Sequence, residues 1–283
     1  MPTIWCVVPF SRPKYAKAIF ERFAKQTYAD KRLVIVENGA GVGACKKLGL
    51  SPDLLLTSGK HQSWAKNEAI LKLRALGHSG DYWSTWDDDD YYGPRYLEEL
   101  AANLHKGDVI GKSRSYIKLS DDHLYLMTSP PQNDVVTQSW VIHGPTITAR
   151  IGDSLLFEHL PFAEDLKFVH QMKEQGGIAY ATSQYNWCYM RGPIRDHTWM
   201  ISDEEFKFAN SNHFIDYGAF DEDVVNGIKE VPGELVVCNS IDIRSSFTYK
   251  EVQRSTGGSS DDVLEAIAKQ MFGDNNEKNI TSI

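Results

Sequence analysis

A chain of 283 residues with 42% hydrophobic and 11% aromatic side chains can fill a substantial core, which makes it globular: one large domain, or a domain with an appendage. Thirty Lys and Arg against 38 Asp and Glu give a net charge of −8. That balance speaks against a protein whose main task is non-specific grip on duplex nucleic acid, because phosphate neutralisation needs a basic face. Cys6, Cys45, Cys188 and Cys238 lie far apart without a CxxC pair and read as reduced intracellular thiols rather than a disulfide or zinc framework. The stretch from Met1 to Phe10 is too short and uncharged for a signal peptide, and no apolar run reaches the length of a membrane span. The expectation is a soluble cytoplasmic protein.

In chain order, Ile4 to Val8 is an apolar run stopped by Pro9, a first buried strand. Tyr15 to Lys25 carries Ala16, Ile19, Phe20 and Phe23 at helical spacing. Leu33 to Val36 is a second strand, ended by Glu37-Asn38-Gly39. Gly39, Gly41 and Gly43 are not a dinucleotide loop, since the spacing is wrong and that motif follows the first strand. Leu54 to Leu56 is a third short strand, Trp64 to Leu76 an amphipathic helix, and Tyr82 to Trp86 an aromatic strand. This alternation predicts an α/β fold with a mostly parallel, doubly wound sheet. Pro94 to Leu104 is a helix. Val109 to Ile142 reads as several short strands with turns at Ser120-Asp121-Asp122 and Pro130-Pro131, an antiparallel insertion. A helix opening at Glu164-Asp165 closes at Gly176-Gly177, followed by strands at Ile178 to Thr182 and Trp187 to Met190. Beyond Asp203 the signal weakens to a strand at Glu234 to Val237 and a helix from Asp261 to Met271.

Four consecutive carboxylates, Asp87 to Asp90, follow the aromatic strand directly, where an open α/β sheet faces its ligand crevice. Acids crowded at such an edge repel, and a divalent cation bound by oxygen ligands alone, Mg²⁺ or Mn²⁺, relieves that. The plainer reading is a solvated acidic turn.

Taken together, these pieces resemble the GT-A fold glycosyltransferases, and among them the inverting family 2 group, over roughly residues 3 to 200. The resemblance rests on Val7 to Pro13, Gln26-Thr27-Tyr28 leading to Val34 to Gly39, Trp64 to Ala69, Trp86 to Asp90, Glu164-Asp165, and Arg191 with Arg195-Asp196-His197, in the family's order. It implies a division into residues 1–202 as the GT-A domain, with 1–105 for the nucleotide-sugar donor and 106–202 for the acceptor, and 203–283 as a C-terminal extension. Pro9, Phe10, Ser11 and Arg12 with Glu37 and Asn38 then hold base and ribose, although Glu37 stands where the family more often has Asp. Lys66 and Asn67 meet base or diphosphate. Asp87 approaches the ribose and Asp89 ligates Mn²⁺ or Mg²⁺. The register stays open by one, so Asp88 and Asp90 stand beside them. His197 is a third metal ligand or a diphosphate contact, and Arg191 and Arg195 neutralise phosphate. Asp165 takes the proton of an acceptor hydroxyl, with Glu164 on acceptor or helix backbone. Plainer readings are helix capping for Glu164-Asp165, a surface Lys66, and core packing for Trp140, Trp187 and Trp199.

The chain lacks the Gln-x-x-Arg-Trp motif and membrane tail of the family's processive synthases, so transfer of a single sugar is expected. Rival readings are a sugar nucleotidyltransferase, which would show glycines in the Phe10 to Pro13 loop, and an inactive nucleotide-binding module, which would have no reason to keep the acids. A third is the same chemistry on a modified DNA base, with Lys112, Arg114, Lys118 and Arg150 as a phosphate-binding strip.

Overall fold

The structure is a computed structural model that describes residues 1–59, 61–127, 142–152, 155–159, 164–191, 203 and 213–237. The first half runs β1 (Ile4–Phe10), α1 (Ala16–Ala24), β2 (Lys31–Asn38), α2 (Ala44–Leu48), β3 (Leu54–Ser58), α3 (Gln62–Ala75), β4 (Tyr82–Thr85), β5 (Tyr91–Tyr92) and α4 (Tyr96–Asn103). Then follow β6 (Val109–Gly111), β7 (Ser115–Lys118), β8 (His123–Met127), β9 (Thr148–Arg150), α5 (Glu164–Glu174), β10 (Ala179–Ala181), β11 (Trp187–Met190), β12 (His213–Ala219), α6 (Glu222–Val225) and β13 (Glu234–Val237). The expected helix from Asp261 to Met271 lies outside the described residues.

The expected α/β class with a mostly parallel sheet is what forms. Strands order as β10-β6-β9-β4-β1-β2-β3, with β1 parallel to both β2 and β4, β2 to β3, and β6 to β10. Only β9 runs against its neighbours β4 and β6. The alternation of β1 explains why its sequence is apolar throughout. Trp5 and Val7 pack with α3 and α5 on one face, while Ile4, Cys6, Val8 and Phe10 pack with α1, α2 and α4 on the other. Cys6, Cys45 and Cys188 are buried free thiols.

Strand β1 runs through Pro9 rather than stopping at it, in register with β2 as far as Phe10 opposite Glu37. Pairing with β4 has already ended at Val7, so the missing N–H of Pro9 falls where no strand needs it. At that point the chain after β4 turns away as the acid loop and re-enters as β5. Strand β5 belongs to a second sheet, ordered β13-β12-β8-β7-β11-β5, through antiparallel pairing of Tyr91 and Tyr92 with β11. The acid loop is therefore the hinge between the two sheets. The antiparallel character expected after residue 109 appears as the β7–β8 hairpin, and β12 and β13 extend it, so this sheet draws strands from both sides of residue 202. Among the described residues, no helix is long and apolar enough to cross a membrane.

Candidate active site at the carboxyl edge of the parallel sheet

Strands β1, β2 and β4 all end at one edge of the sheet, and the segments that leave them converge there. Phe10 itself is buried under α1 and α2, and the β2 turn closes over it: a Cβ on Gly41 would lie 2.1 Å from the Phe10 carbonyl oxygen. The carboxylate of Glu37 accepts the backbone N–H groups of Gly43 and Cys45, both at 2.7 Å, so it fastens this turn to the start of α2. Asn38 closes β2 opposite Ser58.

The acid run divides between two cations. Asp88 turns toward the β1 loop, where its Oδ2 accepts the backbone N–H groups of Ser11 (3.4 Å) and Arg12 (3.2 Å). The Arg12 guanidinium pairs with Asp88 Oδ1 and grips Asp89 with both terminal nitrogens, at 2.6 and 2.8 Å. This is the two-pronged geometry in which guanidinium and carboxylate match best.

Asp87 looks the other way, to α3. Gln62 donates to its Oδ1 at 2.9 Å, and the phenol of Tyr92 accepts its backbone N–H at 2.8 Å while donating to the Pro145 carbonyl. One turn beyond Gln62, on the same helix face, stands Lys66. Its side chain is only 3% exposed, and its ammonium donates to Glu164 Oε1 at 3.0 Å. Burial alone would lower this lysine's pKa, but the fields of Glu164, Asp87 and Asp165 outweigh it and the net shift is upward. Lys66 is thus the charge that ties the acid loop to the helix-start carboxylates. Glu164 opposes its own burial in the same way, and its pKa is lowered by Lys66.

Asp165 sits against the Gly144–Thr146 turn. A Cβ on Gly144 would lie 2.2 Å from Asp165 Oδ2, so a glycine is needed there for the carboxyl to approach. The same turn accepts the Thr85 hydroxyl on the Gly144 carbonyl and holds Tyr92 through Pro145. It therefore joins the end of β4, the acid loop and α5.

Asp90 is the most enclosed acid. Its Oδ1 accepts the Met190 N–H at 3.0 Å, and its backbone carbonyl accepts from Arg22 at 2.6 Å. Its Oδ2 is buried without a hydrogen-bond partner among the described residues. Burial and the neighbouring Asp89 and Asp87 push this carboxyl well above the ordinary range. Burial, partly offset by Lys66, likewise lifts Asp87 to about 7.

Six carboxylates, Asp87 to Asp90 with Glu164 and Asp165, therefore gather near three cations, with Arg12 on Asp88 and Asp89, Lys66 on Glu164 and Arg22 on the Asp90 carbonyl. Oxygen-only donors in negative excess suit a hard divalent ion. As the side chains lie, however, no three acidic, histidine or cysteine groups among the described residues converge as a ligand set. The oxygens of Asp88 and Asp89 converge on Arg12 instead. The donor chemistry fits Mn²⁺ or Mg²⁺ provided Arg12 withdraws.

The structure brings together Ser11, Arg12, Lys66, Asp87, Asp88, Asp89, Glu164 and Asp165. It gives other employment to three expected contacts. Glu37 holds its own turn. Asn67 uses both amide atoms on the Phe157 backbone, accepting and donating at 2.8 Å. Arg191 is buried with its Nε on Asp203, 3.2 Å away, and Asp203 also accepts the Ser120 N–H. Arg195 and His197, like Trp140 and Trp199, lie outside the described residues. Trp187 is core, as its plainer reading had it. The expected phosphate strip does not form as a unit, because Lys112 is fully buried on Glu99 at 2.8 Å and Lys118 pairs with Asp122. Gln62 and Tyr92 were not anticipated. Gln62 lies before the expected helix start at Trp64, and only the longer observed helix puts it one turn before Lys66.

No protein-family model matches the chain, and no curated protein matches it. Among solved structures it is similar to residues 1–349 of S. aureus TarS in complex with UDP, at 16% identity over 68% of this chain and 61% of that one, with a TM-score of 0.47. It is also similar to the mannosyltransferase PcManGT from Pyrobaculum calidifontis in complex with GDP-Man and Mn²⁺, at 13% identity over 68% of this chain and 57% of that one, with a TM-score of 0.49. The chain thus spans about three fifths of the length of these structures.

Proposed function

We propose that this chain is a glycosyltransferase that moves a single sugar from a nucleotide-sugar donor to a hydroxyl acceptor with inversion. The observation that carries the reading is the gathering, at the carboxyl edge of one parallel sheet, of an acid loop, two cations and a second carboxylate pair on a helix start. An edge of this kind is where α/β sheets take their ligands. The β1 loop at Pro9, Phe10, Ser11 and Arg12 and the Glu37-Asn38 turn frame the donor, with residues 1–105 as the donor half. Residues 106–202 form the acceptor side, and 203–283 an extension that lends β12 and β13 to the second sheet.

Asp87 and Asp89 would hold Mn²⁺ or Mg²⁺, with Asp88 and His197 as further candidate ligands. The ion's contribution when bound is Lewis-acid stabilisation of charge on the departing nucleoside diphosphate. Arg12 and Arg195 are the candidate cations for phosphate oxygens, Arg191 being buried on Asp203. Asp165 takes the proton from the acceptor hydroxyl as that oxygen attacks the anomeric carbon from the face opposite the leaving group. Lys66 keeps Glu164 ionised and in place beside it, and Gly144 gives Asp165 its seat. Localisation in the cytoplasm belongs to the same reading.

The test is to incubate the protein with a panel of nucleotide sugars and Mn²⁺ and to follow release of nucleoside diphosphate. Release that depends on one donor and is lost in Asp165→Asn supports the assignment. Release that persists undiminished in Asp165→Asn removes the base, and a product of retained configuration removes the inverting mechanism.

A further inference from the structure

Every carboxylate oxygen of Asp88 and Asp89 is already engaged. Asp88 Oδ2 takes the backbone amides of Ser11 and Arg12, while Asp88 Oδ1 and both oxygens of Asp89 take the Arg12 guanidinium. A metal ion at Asp89 therefore competes with the Arg12 fork for the same oxygens. The two cations differ in charge as well as in shape. The guanidinium brings one positive charge to a site where carboxylates outnumber cations, and a divalent ion brings two.

The burial of the two sides also differs. The carboxylates are 2% and 7% exposed, in a loop held at both ends by sheets. The Arg12 side chain is 27% exposed, on the short connection between β1 and α1, and packs its guanidinium over the Tyr15 ring rather than into the core.

We propose that Arg12 is a resident counter-ion of the Asp88–Asp89 pair that a divalent cation displaces, releasing the guanidinium to meet the donor's diphosphate. This rests on the donor-site reading given above. Arg12 then has two opposite effects: it competes with metal in the absence of donor and supports anion binding once metal is bound. A merely structural arginine would show neither.

The experiment is a calorimetric Mn²⁺ titration of wild type, Arg12→Gln, Arg12→Lys and Asp89→Asn, without nucleotide, followed by titration of inorganic pyrophosphate at saturating Mn²⁺. Arg12→Gln should bind Mn²⁺ roughly tenfold or more tightly than wild type, the scale of one charge-assisted hydrogen bond, and pyrophosphate more weakly. Arg12→Lys, which keeps the charge but not the fork, should fall between and decides the matter should Arg12→Gln fail to fold. Wild type that binds Mn²⁺ through Asp89 while the Arg12 variants bind it no more tightly overturns the exchange and leaves the metal reading standing. Absence of Mn²⁺ binding in all four proteins overturns both.

Discussion

Two cations neutralise the acids of this crevice, and they are built differently. Lys66 projects from the body of α3, is 3% exposed, and is enclosed between the acid loop and the start of α5. Arg12 projects from a loop, is 27% exposed, and reaches its carboxylates from the solvent side. A buried ion pair is held because each partner left alone would be a desolvated charge. Arg12 is open enough for another cation to take its place, while Asp88 and Asp89, 2% and 7% exposed, need a counter-charge whichever cation supplies it. The contrast makes the Lys66 clamp the fixed one and the Arg12 clamp the exchangeable one.

The largest effect expected is on chemistry at the fixed side. Asp165→Asn keeps the fold and lowers kcat by about 10²–10⁴-fold, the usual contribution of a general base. A single-turnover assay of diphosphate release measures it. Next is the stability of the fixed clamp. Lys66→Met should cost about 3–5 kcal/mol in denaturant unfolding, because Glu164 stays buried and unpaired. The double variant with Glu164→Gln should recover most of that loss, and a purely additive double variant would show that the pair is not coupled. With Mn²⁺ present to replace the guanidinium, Arg12→Gln should cost clearly less than Lys66→Met, and equal costs would erase the comparison.

A subtler change separates seat from charge. Gly144→Ala places a methyl against the Asp165 carboxyl. Displacement by about an ångström should lower kcat on the order of 10²-fold with little loss of stability. The last effect is a pH dependence of the turn that joins the two clamps. His143, which leads into that turn beside Ser115, is lowered to about 4 by burial, with a hydrogen bond to the Ser113 backbone opposing the shift. Its unfolded form takes up a proton at higher pH than its folded form, so stability is full above the ordinary histidine value. It is lost as pH falls from about 6.5 toward about 4. Thermal melts of His143→Gln should be flatter than wild type across that window.

Much of this arrangement was legible from residue order. The apolar runs of β1, β2 and β4, the α3 periodicity, the Trp187 to Met190 strand and the acids after β4 all follow from local pattern, and local pattern fixes where strand ends meet. Three strands were not foreseen. Tyr91–Tyr92 and Thr148–Arg150 are too short to carry a period, and His213–Ala219, read HFIDYGA, mixes polar and apolar residues without alternation. The harder loss was partner choice. Arg12 meets Asp88 from 76 residues away, and Lys66 meets Glu164 from 98 away. Asn67 and Glu37 have side chains suited to a ligand contact, and in the fold both serve backbone groups that only the folded chain brings near. Residue type announces a hydrogen-bonding capacity, and tertiary structure decides where it is spent.

The most direct test of the central claim is a thermal-shift screen of nucleoside diphosphates and nucleotide sugars, with and without Mn²⁺, on wild type and Asp89→Ala. One base should stabilise the wild type in a metal-dependent way, by roughly 2.7 kcal/mol at about a hundred times its Kd, and lose that effect in Asp89→Ala. Absence of a shift with every nucleotide would contradict the glycosyltransferase account and leave the acid run as the structural hinge between two sheets.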